Sequence, residues 1–154
     1  MRLREVRTHS YWHGSDKNNL KELTPQYSVL VGRSVVFAAT YPEIAVAMAG
    51  HWTDKDFNFG RSVRKGEDPE TIPYTLREKR EGAFDEFFST PISLYELNGK
   101  NFKSDPTIQD FEVVSDKIAE VSEEHRIDDP LDYLHKSRMV KLKMLTKLPE
   151  SDSD

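Results

Sequence analysis

The sequence predicts an α+β domain, a mostly antiparallel β core flanked by short helices. Runs with the β-branched and aromatic content of strands recur at residues 3–13, 34–39, 92–97 and 108–115, whereas helix signals are few and brief. Pro42 and Pro130 stand where a proline opens a helix, and each is followed by only a short apolar stretch. A length of 154 residues is enough to bury one core and too little for two independent ones.

Residues 3–13 read as the first strand, reaching Trp12-His13-Gly14-Ser15, with Asp16-Lys17-Asn18-Asn19 as the turn that follows. Ser34-Val35-Val36-Phe37-Ala38-Ala39 has the composition of a buried central strand, entered through Gly32-Arg33. Thr40 or Tyr41 then precedes Pro42 and Glu43, which open a helix over Ile44–Ala49 that ends near Gly50 or His51. From Thr53 to Gly82 charges dominate, and the segment reads as a long loop, functional or mobile, with room for a short helix around Tyr74–Arg80.

Phe84, Phe87 and Phe88 return apolar mass. Pro91–Leu97 alternates as a strand and stops at Asn98-Gly99, a dipeptide that favours a strand pair around it. Ile108–Ser115 and Ile118–Val121 are further strand candidates, and Asp129-Pro130 caps a short helix through Leu134. Met139–Leu148 alternates loosely, as an edge strand or a helix. Residues 1–148 therefore read as a single domain, and 149–154 as a disordered acidic tail.

A net charge of -5 argues against a general attraction to nucleic acid over the whole surface, although local basic stretches still suit phosphates. The absence of cysteine removes disulfides, thiolate nucleophiles and cysteine-based zinc sites, and it suits a reducing, cytoplasmic location. The first residues lack a secretory apolar run, and no window is apolar enough to cross a bilayer, so no membrane partner is expected. His9 and His13, which would share a strand face, with His51, Asp54 or Asp56 to complete a set, have no recognised ligand spacing, and no metal is expected. Nucleophile-elbow, dinucleotide-fingerprint and phosphate-loop motifs are missing.

The residues that carry chemistry are scattered. His13 followed by Gly14 displays an imidazole beside backbone that a small flat ligand can approach. Phe37 lies in the buried run, and Glu112 sits between apolar Phe111 and Val113 on a late strand. Histidine-glycine on an early strand, Val-Val-Phe-Ala leading into a small-residue helix, and a late Phe-Glu-Val-Val strand resemble the ADP-ribosyltransferase-like superfamily. The resemblance is to its diphtheria-toxin and poly(ADP-ribose)-polymerase branch and covers roughly residues 9–50 and 92–135.

The resemblance implies a split, mostly antiparallel β core and NAD as a substrate. His13 and Gly14 match the residues that hold an NAD ribose hydroxyl and the nicotinamide carboxamide, with Ser15 completing the segment. Phe37 and Ala38 match the end of the second motif, and Glu112 matches the catalytic glutamate, with His13 beside it in the catalytic pair. Val36 stands where the motif has an aromatic, so ring stacking falls to Phe37, Tyr41 or another ring such as Tyr74; Ile44 stands where a small hydroxyl residue is expected. Arg61, with Arg64 and Lys65 nearby, is the candidate for the pyrophosphate.

A carboxylate near the ribose stabilises the oxocarbenium-like charge that develops as the nicotinamide bond breaks, or takes a proton from the acceptor. The implied activity is mono-ADP-ribosyl transfer to a protein or nucleic-acid acceptor, chosen by the 53–82 segment. The alternative is a non-catalytic nucleotide- or protein-binding module of the same fold.

Overall fold

Strands of two kinds recur along the chain: runs largely buried on both faces at 33–39 and 92–98, and runs that alternate buried with more exposed side chains at 57–60, 74–78 and 140–143. A computed structural model describes residues 10–145. The expected strand residues 3–9 and the acidic tail 149–154 lie outside the described residues. In chain order the elements are β1 (Ser10–Ser15), β2 (Glu22–Leu23), β3 (Gln26–Ser28), β4 (Arg33–Ala39), α1 (Pro42–Ala47), β5 (Phe57–Gly60), β6 (Tyr74–Glu78) and α2 (Ala83–Phe88). They continue with β7 (Ile92–Asn98), β8 (Glu112–Ser115), β9 (Ala119–Ile127), α3 (Pro130–His135) and β10 (Val140–Lys143).

The described chain is α+β. A seven-stranded antiparallel sheet runs β2-β9-β7-β1-β4-β3, with β8 also paired to β4. A three-stranded sheet runs β10-β6-β5, and its β10–β6 pair is parallel. No helix among the described residues is long and apolar enough to cross a membrane.

The Val35-Val36 and Ala38-Ala39 pairs are buried on both faces of β4, as their continuous apolar run requires. Pro42 occupies the first turn of α1 with Glu43 beside it, and Ile44 through Ala47 are all buried. At α3 the Asp129 carboxylate accepts from the Asp132 amide at 3.0 Å, satisfying one of the free helix-start donors. The main core fills the space between the large sheet, the helices and the small sheet, where Phe57 packs at 4.9 Å from Phe84 and 5.7 Å from Phe88. A second core on the other face of the large sheet gathers Val36, Ala38, Tyr95, Leu97, Phe102 and Val113.

Several expectations are corrected. The 53–82 segment is not one loop: β5 and β6 pair antiparallel within it, and Tyr74–Glu78 is a strand rather than a helix. Phe57, Phe59, Tyr74 and Leu76 point inward while Asn58, Thr75 and Arg77 point out, a period of two that the surrounding charges mask. No hairpin forms around Asn98-Gly99, because β7 pairs with β1 and β9 and the chain beyond the turn leads instead to a bridge between Lys103 and Val114. The late strand candidate begins only at Glu112, since Asp105 and Thr107 close a turn before it. Ile118–Val121 is part of the longer β9, and the Met139–Leu148 region contributes the short strand β10.

Candidate functional site

The site lies at a seam in the large sheet. β1 pairs with β7 along its whole length, from Ser10↔Asn98 to Ser15↔Ser93, but with β4 only at Trp12↔Ala39. Ala39 in turn pairs with Glu112 of β8, so Trp12, Ala39 and Glu112 stand in one row across three strands. Beyond that row β1 and β4 share no further ladder pair, and a cavity of about 110 Å³ occupies the gap. Trp12, His13, Gly14, Phe37, Ala38, Ala39, Ala45, Met48 and Glu112 line it.

Gly14 lets α1 close one side. A Cβ at this position would lie 2.7 Å from the Ala45 carbonyl oxygen and 2.7 Å from the Ala49 methyl, so the helix rests on bare backbone. Ala45 and Ala49, one turn apart, supply the matching small face.

His13 bridges the seam: its ring Nδ1 lies 3.1 Å from the Phe37 carbonyl oxygen. A carbonyl only accepts, so Nδ1 carries the proton and Nε2 presents a lone pair. Burial holds the imidazole below its ordinary pKa; the bond to Phe37 opposes this, and the nearby His51 adds to it. The ring is thus neutral near pH 7. Burial pushes the Glu112 carboxyl above its ordinary value, against a weaker hydrogen bond from the Gln109 backbone. A neutral imidazole and a carboxyl of raised pKa therefore share one largely apolar cavity.

Behind His13, its register partner Tyr95 is fully buried, and the Tyr95 hydroxyl donates to the Lys17 carbonyl at 2.6 Å and accepts from the Leu20 amide at 3.2 Å. That pins the segment leaving β1.

His13, Gly14, Phe37, Ala38 and Glu112, all singled out by sequence, thus come together. Ser15, Tyr41 and Arg61 are placed elsewhere. Ser15 Oγ accepts from the Lys17 amide at 3.0 Å, and the Tyr41 hydroxyl donates to Glu70 at 3.0 Å. Arg61 donates to the carbonyls of Pro69 and Ile72 and lies over the Tyr74 ring at 4.4 Å. Tyr74 is itself buried against Phe59 and Phe111.

Trp12, Ala39, Ala45 and Met48 complete the lining without having been anticipated as ligand contacts. The i, i+4 spacing of Ala45 and Ala49 opposite a strand glycine was the available signal. One further cluster was missed: Glu96, Glu123 and His125 bring a ligand atom each within 4.8 Å of one another, on the sheet face that carries Trp12. Compared with protein-family models, curated proteins and solved structures, the chain finds no match.

Proposed function

We propose that the chain is an NAD-dependent ADP-ribosyltransferase-like enzyme that breaks the nicotinamide–ribose bond and passes ADP-ribose to a protein or nucleic-acid acceptor. The observation that carries the reading is the convergence of His13, Gly14, Phe37, Ala38 and Glu112, from three distant segments, on one cavity at a split between two strands. In this reading the seam between β1 and β4 takes the part of the split in that superfamily's core.

Size supports the assignment. A cavity of about 110 Å³ is near the ~150 Å³ that accepts a benzene ring and below the ~300 Å³ at which whole-ligand pockets begin. Being somewhat smaller than the former, it receives part of one flat heteroaromatic ring in this reading, while the rest of a dinucleotide extends over the rim. Phe37 and Trp12 supply aromatic surface where Val36 cannot. The Nε2 lone pair of His13 accepts from a ribose hydroxyl and orients the sugar. Glu112, ionised, faces the positive charge that grows as nicotinamide departs.

The raised pKa of Glu112 makes ionisation the gate at low pH. Nicotinamide release should rise as pH climbs through the elevated carboxyl range, and Glu112→Gln should lower kcat by roughly 100-fold or more while NAD binding persists. The checks are NAD titration by calorimetry and nicotinamide release by chromatography. No saturable binding at millimolar NAD would leave the non-catalytic module, and equal turnover in wild type and Glu112→Gln would remove Glu112 from the chemistry.

A further inference from the structure

The outer face of the small sheet concentrates positive charge in a chain whose net charge is -5. Alternation along β6 turns Thr75 and Arg77 outward, and along β10 it turns out Lys141 and Lys143. The register sets Lys143 directly beside Arg77 and Lys141 beside Thr75, while Asn58 and Gly60 of β5 flank the other side. The result is a grid of two rows, Lys143-Arg77-Asn58 and Lys141-Thr75-Gly60, with neighbours about 4.8 Å apart across the strands and about 6.7 Å apart along them. Among the described residues, no carboxylate lies within ion-pair distance of Arg77, Lys141 or Lys143.

Like charges set side by side in a ladder work against the sheet. Among the described residues Lys143 and Arg77 accept that cost with no carboxylate in ion-pair distance, which points to an external anion. The face continues into an open groove of about 570 Å³ bordered by Asn58, Phe59, Arg61, Ser62, Thr75 and Arg77, where the one carboxylate among the lining residues is that of Asp54. Amide, hydroxyl and guanidinium donors on an open sheet face suit a row of phosphates. Of the aromatic side chains of these strands, Phe57 and Tyr74 are buried in the core and Phe59 is half-buried against it, so a single ring borders the groove and no row of rings is offered for stacking successive bases.

We propose that this face binds the phosphate backbone of nucleic acid without reading its sequence, through Arg77, Lys141 and Lys143. The proposal rests on the sheet face alone and is independent of the cavity chemistry. Fluorescence anisotropy of the full chain with labelled single-stranded and duplex oligonucleotides, at salt from 50 to 200 mM, tests it. Three phosphate contacts give a log–log salt slope of about -2 for single strands and about -3 for duplexes, hence a weakening of roughly tenfold or more across that range.

The triple variant Arg77→Gln, Lys141→Gln, Lys143→Gln should weaken binding at least tenfold and flatten the slope. Its thermal midpoint should equal or exceed that of wild type, because neutralisation relieves repulsion. The single variant Lys143→Gln should lose part of the affinity, and Lys136→Gln, just past the end of α3, none. Absence of oligonucleotide binding at 50 mM salt, equal binding by wild type and the triple variant, or binding only to phosphatidylserine vesicles would each overturn the proposal.

Discussion

Gly14 serves two neighbours at once, the helix packed on one side and the cavity opened on the other. A methyl there meets the Ala45 carbonyl and the Ala49 side chain, and since the first is backbone the helix must shift. Gly14→Ala should therefore cost about 1–3 kcal/mol in urea unfolding and weaken any ring-sized ligand of the cavity. His13 adds a pH signature with a definite sign. Its folded pKa lies below the ordinary 6.5, so stability contributed by the neutral ring is full above that value and is lost as pH falls through the folded pKa. Melting curves of His13→Gln should fall less steeply than wild type on acidification below pH 6.5. Much of the cavity was legible at this scale, because a strand ending in His13-Gly14 and a buried run containing Phe37 both carry local signals. Trp12 and Met48 were not legible, since their place in the lining depends on register between β1 and β4 and on how α1 seats against Gly14.

At the scale of elements, caps and buried polar groups hold the pieces in place. The Asp129 cap should be worth about 1 kcal/mol, readable as a lower unfolding midpoint in Asp129→Ala. Glu78 matters more, being buried and accepting from the Phe84 amide at 3.0 Å and the Leu145 amide at 2.8 Å. It ties β6 to the start of α2 and to the chain leaving β10. Glu78→Ala strands two amides and should cost about 2–5 kcal/mol by chemical denaturation, with Glu78→Gln restoring part of it. These same groups explain why β5 and β6 escaped the sequence reading. Asp56 and Glu78 are charged residues that fold inward, so a segment punctuated by them looks like solvated loop until its partners are known. The strand β4 and helices α1 and α3, by contrast, announce themselves through an unbroken apolar run and through proline and aspartate at helix starts.

For the molecule as a whole, acid should act in two stages. Asp56 is held below the usual carboxylate range first by the Thr53 amide, Asp105 first by the Thr107 hydroxyl, and Glu124 first by the Ser93 hydroxyl. Each depressed carboxylate contributes stability that is present above its ordinary pKa and lost as pH falls through its folded one. His13 begins the decline at higher pH and these acids finish it, whereas Glu112, with its raised pKa, penalises the fold as pH rises. A thermal-melt series should show a shallow early slope below pH 6.5 and a steeper one below about pH 4. Removing Glu112 by Glu112→Gln should raise the midpoint at pH 7 and leave it unchanged near pH 4.

The parallel pairing of β10 with β6 joins segments made at very different moments of synthesis. Until the later strand emerges, Leu76 and the apolar side of α1 lack their cover, and β6 offers an open edge. A nascent chain stalled before Val140 would thus present an adhesive surface to chaperones or to other copies of itself. Ribosome-release and pelleting assays on chains halted at residue 135 and at residue 148 should place the onset of solubility between the two lengths.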